Sequence, residues 1–87
     1  MDNYHDEIYD VRQVFKRNCC GVVLSSRGPD DPHVIVTPIT EDDGNWFTSS
    51  GGMSSFWLPE QIEVLKEAQA WMTVHCDRDE TWGWKFR

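Results

Sequence analysis

The chain has 87 residues, with 15 acidic side chains against 8 basic ones and a formal net charge of -7. This balance argues against broad binding to phosphate backbones or anionic membranes, because that affinity comes from lysine and arginine. No apolar run approaches the roughly 20 residues of a membrane span, and the acidic start lacks the basic region of a signal peptide. We therefore expect one cytoplasmic domain over residues 1–87, without membrane attachment.

The cysteines support the same compartment. Cys19, Cys20 and Cys76 form an odd set, and the adjacent pair cannot easily bridge to itself. Reduced thiols in a cytosolic protein are the simplest interpretation. Neither Cys19-Cys20 nor His75-Cys76 has the spacing typical of zinc ligands. We predict no metal, no cofactor and no catalytic residue, although structural, reactive and metal-binding roles for these four residues stay open.

The first segment, residues 4–17, has apolar side chains at spacings of four, three and four, which predicts one face of a helix: Tyr4, Ile8, Val11 and Phe15. Acids in its first turn and basic residues in its last turn complement the helix dipole. Asn18 is suited to end it. A strand is the competing interpretation, because valine and phenylalanine favour strands.

Three strands follow in a predicted antiparallel meander, over residues 19–26, 33–40 and 45–49. Residues 27–32 contain the glycine and prolines of a turn, and an Asp-Gly pair marks the turn before the third strand. Pro38 lacks a backbone donor, so the second strand should end there or lie at an edge. The serine- and glycine-rich stretch 49–55 reads as a flexible connection.

A second helix is expected to begin near Leu58, with Pro59 in its first turn, and to run to about His75. Its predicted apolar stripe consists of Ile62, Leu65, Ala68 and Met72, widened by Val64 and Trp71. Residues 82–86 alternate as a fourth strand. The fold class expected is α+β in the order αβββαβ, with an antiparallel or mixed three- to four-stranded sheet and both helices on one face.

Acidic residues and tryptophans supply the candidate site. Carboxylates cluster at the predicted hairpin tip and in the last loop, and five tryptophans exceed what so small a core can bury. Protein interfaces concentrate binding energy in aromatic residues, while charge governs the choice of partner. The candidate partner-binding residues are Glu41, Asp42, Asp43, Trp46, Asp77, Asp79, Glu80, Trp82 and Trp84.

The function favoured by these features is that of a small acidic inhibitor that occupies a basic, nucleic-acid-binding surface of a larger protein. In size and charge alone, the chain resembles phage and mobile-element inhibitors such as anti-CRISPR proteins, or immunity proteins that block nucleases; such a protein would act in the host cytoplasm. We predict no direct nucleic-acid binding and no enzyme activity. One alternative is a homodimeric interaction module, and another is a small enzyme or metal protein that uses Cys76 and His75.

Overall fold

A computed structural model describes residues 2–49 and 51–87, so Ser50 of the predicted connection lies outside the described residues. Six strands and one α-helix make up the regular structure of the described residues, apart from short 3-10 turns at Asn3–Asp6 and Ser55–Trp57. The strands and helix are β1 (Val11–Arg17), β2 (Cys20–Gly28), β3 (Asp31–Asp42), β4 (Asn45–Thr48), α1 (Leu58–His75), β5 (Cys76–Asp79) and β6 (Gly83–Phe86).

The strands form one antiparallel sheet in the order β1-β2-β3-β6-β5, and β4 also pairs with β3. The long strand β3 therefore has β2 along one edge, while β6 and β4 share its other edge. The meander, the Leu58–His75 helix and a strand near the C-terminus agree with the sequence analysis. The αβββαβ order with two helices on a three- to four-stranded sheet is wrong, because residues 11–17 form a strand and Cys76–Asp79 adds another.

Strand β2 is the centre of the molecule. Every residue from Cys20 to Ser26 is buried, and the side chains alternate between two separate cores. Val22 and Leu24 point into the larger core, beneath α1. Val23 points into a smaller core on the opposite face, together with Tyr4. A continuous apolar run is typical of a strand that is covered on both faces.

The helix and the N-terminal segment cover opposite faces of the sheet. The helix buries a line of residues at spacings of three, four and four: Gln61, Val64, Ala68 and Met72. The predicted stripe was only partly correct, because Ile62 and Leu65 are exposed and the polar Gln61 takes a core position. On the other face the segment that precedes β1 is held by a Lys16–Asp2 ion pair of 3.0 Å.

A β-bulge explains why residues 4–17 are not the predicted helix. The pairing of β1 with β2 shifts register between Val11 and Gln13. The extra residue interrupts the two-residue alternation of a strand, so Val11 and Val14 both pack against the smaller core. Phe15 packs against the larger core instead. The bulge thus gives a strand the apolar spacing that a helix would show.

Pro38 lies within β3 rather than at its end. Its carbonyl accepts a hydrogen bond of 3.0 Å from the backbone of Ser49, on the edge that β4 occupies. Because N–H and C=O of one strand residue point to the same edge, the missing donor of Pro38 faces β4 and leaves the pairing with β2 intact. The pairing of β4 with β3 stops at Ile39, the next residue.

Gly21 allows β1, β2 and β3 to approach closely. A Cβ at this position would lie 2.8 Å from the Phe15 carbonyl oxygen and 2.9 Å from Cγ1 of Ile39. We expect Gly21→Ala to lower the free energy of unfolding by about 1–3 kcal/mol, because the backbone oxygen cannot move without disturbing the sheet. Gly28→Ala is the matched control, since a Cβ there meets nothing within 4 Å. Urea denaturation of the two variants measures the difference, and equal stabilities would contradict this role of Gly21.

Candidate functional site

The β3–β4 hairpin presents the first predicted acidic cluster. Asp43 and Gly44 have φ values of 54° and 82°, as a two-residue type I′ turn requires. Asp42 and Asp43 are exposed and make no ion pair among the described residues. Glu41 is occupied: its carboxylate accepts hydrogen bonds from the Cys19 thiol at 3.2 Å and from the Gly44 N–H at 2.6 Å. Two of the three acids are therefore available to a partner.

Trp46 belongs to the fold more than to the surface. It is partly buried against the smaller core of Tyr4, Val23 and Ile39. The Lys16 ammonium lies 4.7 Å from the centre of its ring. Its neighbour Phe47 points to the opposite face and is exposed.

The β5–β6 hairpin carries the second predicted cluster, and most of its members have partners within the chain. Asp77 pairs with Arg87 at 2.9 Å. Trp84 lies partly buried beside the larger core, with the Arg78 guanidinium 5.4 Å from its ring centre. Glu80 is exposed and makes no ion pair among the described residues. Trp82 is 48% exposed and stacks beneath the Arg27 guanidinium at 4.2 Å.

Asp79 takes part in a cluster that the sequence analysis missed. Nε2 of His33 lies 2.7 Å from Asp79, and Nδ1 lies 2.5 Å from Asp31. An imidazole can donate from both nitrogens only when it is protonated, so the two carboxylates favour the cation. These bonds, the one to Asp79 first, raise the pKa of His33. The bond from His33 and two from Thr81 lower the pKa of Asp79. His33 and Asp79 are 46 positions apart, so no spacing in the sequence indicates that they meet.

The structure does not join the two predicted acidic clusters into one site. His33, which binds Asp79, lies near the start of β3, whereas Asp42 is its last residue. At a rise of about 3.3 Å per residue, these positions are about 30 Å apart. Any partner that contacts both clusters must span the length of the sheet.

An exposed apolar surface lies between α1 and the outer half of the sheet. Val36 pairs with Leu24, and Phe47 pairs with Thr40, so both side chains share the face on which α1 packs. One flank of α1 carries further exposed apolar residues, and we call the five residues together the helix-side groove. Its residues are between 40 and 54% exposed: Val36, Phe47, Leu58, Ile62 and Leu65.

Cys76 and His75 lie in different surroundings. Cys76 is 2% exposed within the larger core, and burial raises the pKa of its thiol. The ring of the adjacent His75 stacks on Trp71 with ring centres 4.4 Å apart. Cys20 is also buried, with a raised pKa. Across residues 2–49 and 51–87, no group of three or more His, Cys, Asp or Glu side chains is placed to hold a metal ion.

A cleft of about 240 Å³ opens on the face opposite α1, between the N-terminal segment and the end of the β2–β3 hairpin. Ser25, Ile35 and Thr37 line it on the sheet side, and Arg27 lies at its edge. Pockets that enclose small molecules usually measure about 300–1,000 Å³ and surround most of the ligand. This cleft is smaller than that range.

Comparison with protein-family profiles, curated proteins and solved structures gives no match. In the part of the chain that the structure describes, no helix is long and apolar enough to cross a membrane. The candidate site therefore rests on the geometry of this chain alone.

The His33 cluster predicts how stability depends on pH. Folding raises the pKa of His33 above its ordinary 6.5. Its contribution to the free energy of unfolding is therefore complete below about pH 6.5 and is lost as the pH rises through the pKa of the folded chain. Folding lowers the pKa values of Asp31 and Asp79, so the stability that these carboxylates contribute is lost in acid, as the pH falls below about 4. Urea midpoints should therefore fall between about pH 6 and pH 8.5.

The variant His33→Gln is the control for this prediction. It should be less stable than the native chain at about pH 6 and should lose most of the decline towards pH 8.5, because glutamine does not titrate. A variant with the same alkaline decline as the native chain would show that His33 is not its cause.

The Cys19–Glu41 contact predicts thiol reactivity. The bond from the thiol to Glu41 raises the pKa of Cys19, which slows its reaction because the thiolate is the nucleophile. We expect Glu41→Gln to speed modification of Cys19 several-fold at about pH 7.5, measured with an aromatic disulfide reagent and peptide mapping. Asp42→Asn is the control and should leave the rate unchanged. Rapid reaction of Cys76 in the folded chain would contradict its burial.

Proposed function

We propose that this protein binds a basic surface of a larger protein and blocks that surface by occupying it. The observation that carries the proposal is the distribution of free charge. Among the described residues, every lysine and arginine except Lys85 is engaged by a carboxylate or an aromatic ring. Eight carboxylates of the described residues make no ion pair, and six of these accept no hydrogen bond either: Asp6, Asp30, Asp42, Asp43, Glu60 and Glu80. The charges available to a partner are thus almost entirely negative.

The tryptophans contribute to this charge distribution. Lys16 lies over Trp46, Arg27 over Trp82 and Arg78 over Trp84. A cation held against an aromatic face is less available to pair with a second molecule. Retaining cations within the chain while leaving carboxylates free favours the attraction of a basic partner and repels acidic ones.

An exposed apolar surface can slow dissociation, which charge alone does not. Long-range attraction speeds association, whereas burial of apolar and aromatic side chains slows dissociation. The helix-side groove offers such side chains on the same molecule as the free carboxylates. The partner that fits both is a protein surface rather than a small molecule, because the exposed residues spread over a strand pair and a helix instead of surrounding a pocket.

We further propose that binding inhibits the partner. A nucleic-acid-binding protein is the most plausible owner of a basic surface, and negative charges placed on it would exclude the nucleic acid. We place the action in the cytoplasm, where the three free cysteines stay reduced.

The test begins with affinity capture from the source cells and continues with each captured protein in purified form. We expect the Kd to weaken by at least about tenfold between about 50 and 300 mM salt, and the partner's nucleic acid to be displaced. Asp42→Asn combined with Asp43→Asn should weaken binding further, and Asn-Gly retains the type I′ turn. Glu63→Gln with Glu67→Gln is the control, because it changes net charge equally at acids already paired within the chain.

Several results would count against the proposal. They are an affinity that does not depend on salt, a partner that binds nucleic acid and this chain simultaneously, or equal effects of the two double variants. A tight dimer by light scattering, with no heterologous partner, would instead favour the homodimeric module.

A further inference from the structure

We infer that His33 holds the turn between β5 and β6 against the end of the β2–β3 hairpin, and that loss of the proton from its imidazole releases this turn. We call the five side chains that join these two parts of the chain the turn clasp: Arg27, Asp31, His33, Asp79 and Trp82. The clasp acts at one end of the sheet. Its effect on partner binding rests on the proposed function, because Asp79 and Trp82 are candidate partner-binding residues.

The β5–β6 hairpin has few other attachments to the sheet. Among the described residues, β6 pairs with β3 only through His33 and Lys85, whereas four residue pairs join β5 to β6. The buried anchors lie at the other end of the hairpin, where Cys76 and Phe86 belong to the larger core. The hairpin is therefore fixed at its base, and the position of its turn depends on side-chain contacts.

His33 and Arg27 make those contacts. Nε2 of the imidazole lies 2.7 Å from the Asp79 carboxylate, and the ring centre lies 5.7 Å from that of Trp82. The Arg27 guanidinium lies 4.2 Å from the centre of the same tryptophan ring and 3.7 Å from Asp31. Asp31 in turn lies 2.5 Å from Nδ1 of His33. The imidazole is thus the group that links a carboxylate from each side of the clasp.

The two carboxylates differ in how far they can withdraw from the ring. Asp31 is two residues before His33 on β3 and also accepts the backbone N–H of His33 at 3.1 Å, so it stays beside the imidazole. Asp79 reaches the ring from β5, and its other oxygen accepts a hydrogen bond of 2.7 Å from Thr81 in the same turn. Repulsion at the imidazole is therefore relieved by movement of the β5–β6 turn.

Loss of the proton creates that repulsion. The imidazolium donates from both nitrogens, whereas the neutral ring keeps one N–H and directs a lone pair at the other carboxylate. The charges of Asp31 and Asp79 are then no longer balanced by the ring that lies between them. The turn that carries Asp79 is the part that can move away.

The other charges near the ring come from three elements. Arg27 of β2 contacts Asp31, and Lys85 of β6 pairs with His33 across the two strands, so both cations oppose a charge on the imidazole. In the N-terminal segment, Glu7 lines the same cleft as Arg27 and accepts a hydrogen bond of 2.7 Å from β4. The helix packs on the opposite face of β3. The two carboxylates in direct contact outweigh the cations, in accord with the raised pKa of His33.

The clasp is complete within a window of pH. It needs both carboxylates ionised, which fails below about pH 4, and the imidazolium, which is lost as the pH rises through the pKa of His33, above 6.5. On the alkaline side the turn opens. Trp82, which is 48% exposed in the clasp, then loses the cover of Arg27 and His33, and Asp79 joins the exposed Glu80 as a free acid.

NMR of the native chain tests the opening. Between about pH 6 and about pH 8.5, we expect the relaxation that a dissolved nitroxide induces at the Trp82 indole to rise at least about threefold. The nuclear Overhauser contact between the rings of His33 and Trp82 should disappear over the same range. The Trp71 indole is the reference within the same spectra, because it packs against the larger core and should not change.

Variants assign the effect to His33. His33→Gln does not titrate and should give the same relaxation at both pH values, whereas His5→Gln combined with His75→Gln should keep the native pH profile. Asp79→Asn should move the midpoint of opening to lower pH. Asp77→Asn is its matched control, because Asp77 lies on β5 as well but pairs with Arg87 at 2.9 Å.

Three results would each overturn the clasp. They are equal relaxation of the Trp82 indole at the two pH values, a rise at Trp71 as large as that at Trp82, and an unchanged pH profile in His33→Gln. The second result would show that the whole chain loosens, and the third that another group controls the turn.

A captured basic partner tests the regulation. We expect its Kd to be at least about threefold lower at about pH 8.5 than at about pH 6, because a cation of the partner then replaces the imidazolium at Asp79. The difference should be absent with His33→Gln. Equal affinities of the native chain at the two pH values would show that the clasp does not regulate binding.

The outcomes separate the clasp from the proposed function. If the turn stays closed while a basic partner binds with strong salt dependence, the clasp is wrong and the proposed function stands. If the turn opens as expected but the source cells yield no basic partner, the clasp stands and the proposed function is wrong.

Discussion

Everything in this fold depends on keeping the central strand β2 dry on both faces. Its residues Val22 and Leu24 need cover from one side and Val23 from the other, and at Gly21 there is no room for a side chain at all. A chain of 87 residues has few residues with which to cover both faces of this strand. It supplies one 18-residue helix for the larger core and a short N-terminal segment for the smaller one. The helix-side groove lies where neither the helix nor the N-terminal segment covers the sheet.

The same shortage determines how charge is used. The described residues form two small cores, and none of the five tryptophans is fully buried in either of them. Three of them carry a lysine or arginine on the ring face, which shields the apolar surface from water and holds the cation in place. The incomplete core and the negative exterior are therefore connected: aromatic residues that the core cannot bury retain the positive charges.

The sequence predicted the elements whose signals are local. The Asp-Gly turn, the buried strand and the α1 boundaries depend on residues next to one another, and all three agree with the structure. Asn18 shows the limit of such signals. It was predicted to end the first element and has a φ of 55°, but it turns one strand into the next instead of ending a helix. The signal for a backbone reversal does not say which kind of element precedes it.

The remaining errors come from long-range contacts. A bulge opposite Ser25 gave β1 the spacing of a helix, and Gln61 displaced the predicted apolar stripe by one position because α1 settles against β1 and β2. The His33 cluster joins carboxylates on β3 and β5, which no local pattern connects. Of the candidate site, the exposed acids at the β3–β4 turn could be anticipated, whereas the groove depends on which half of the sheet the single helix covers.

Pro38 has a further consequence for how such a molecule stays dispersed. A 12-residue strand with an open edge would be a template for pairing with other chains. Here β4 and β6 occupy the two ends of that edge, and between them Pro38 removes a donor, so too little ladder remains for another strand to extend. The chain thus exposes apolar side chains on the face of the sheet, while few backbone N–H and C=O groups of β3 stay open to pairing with another chain.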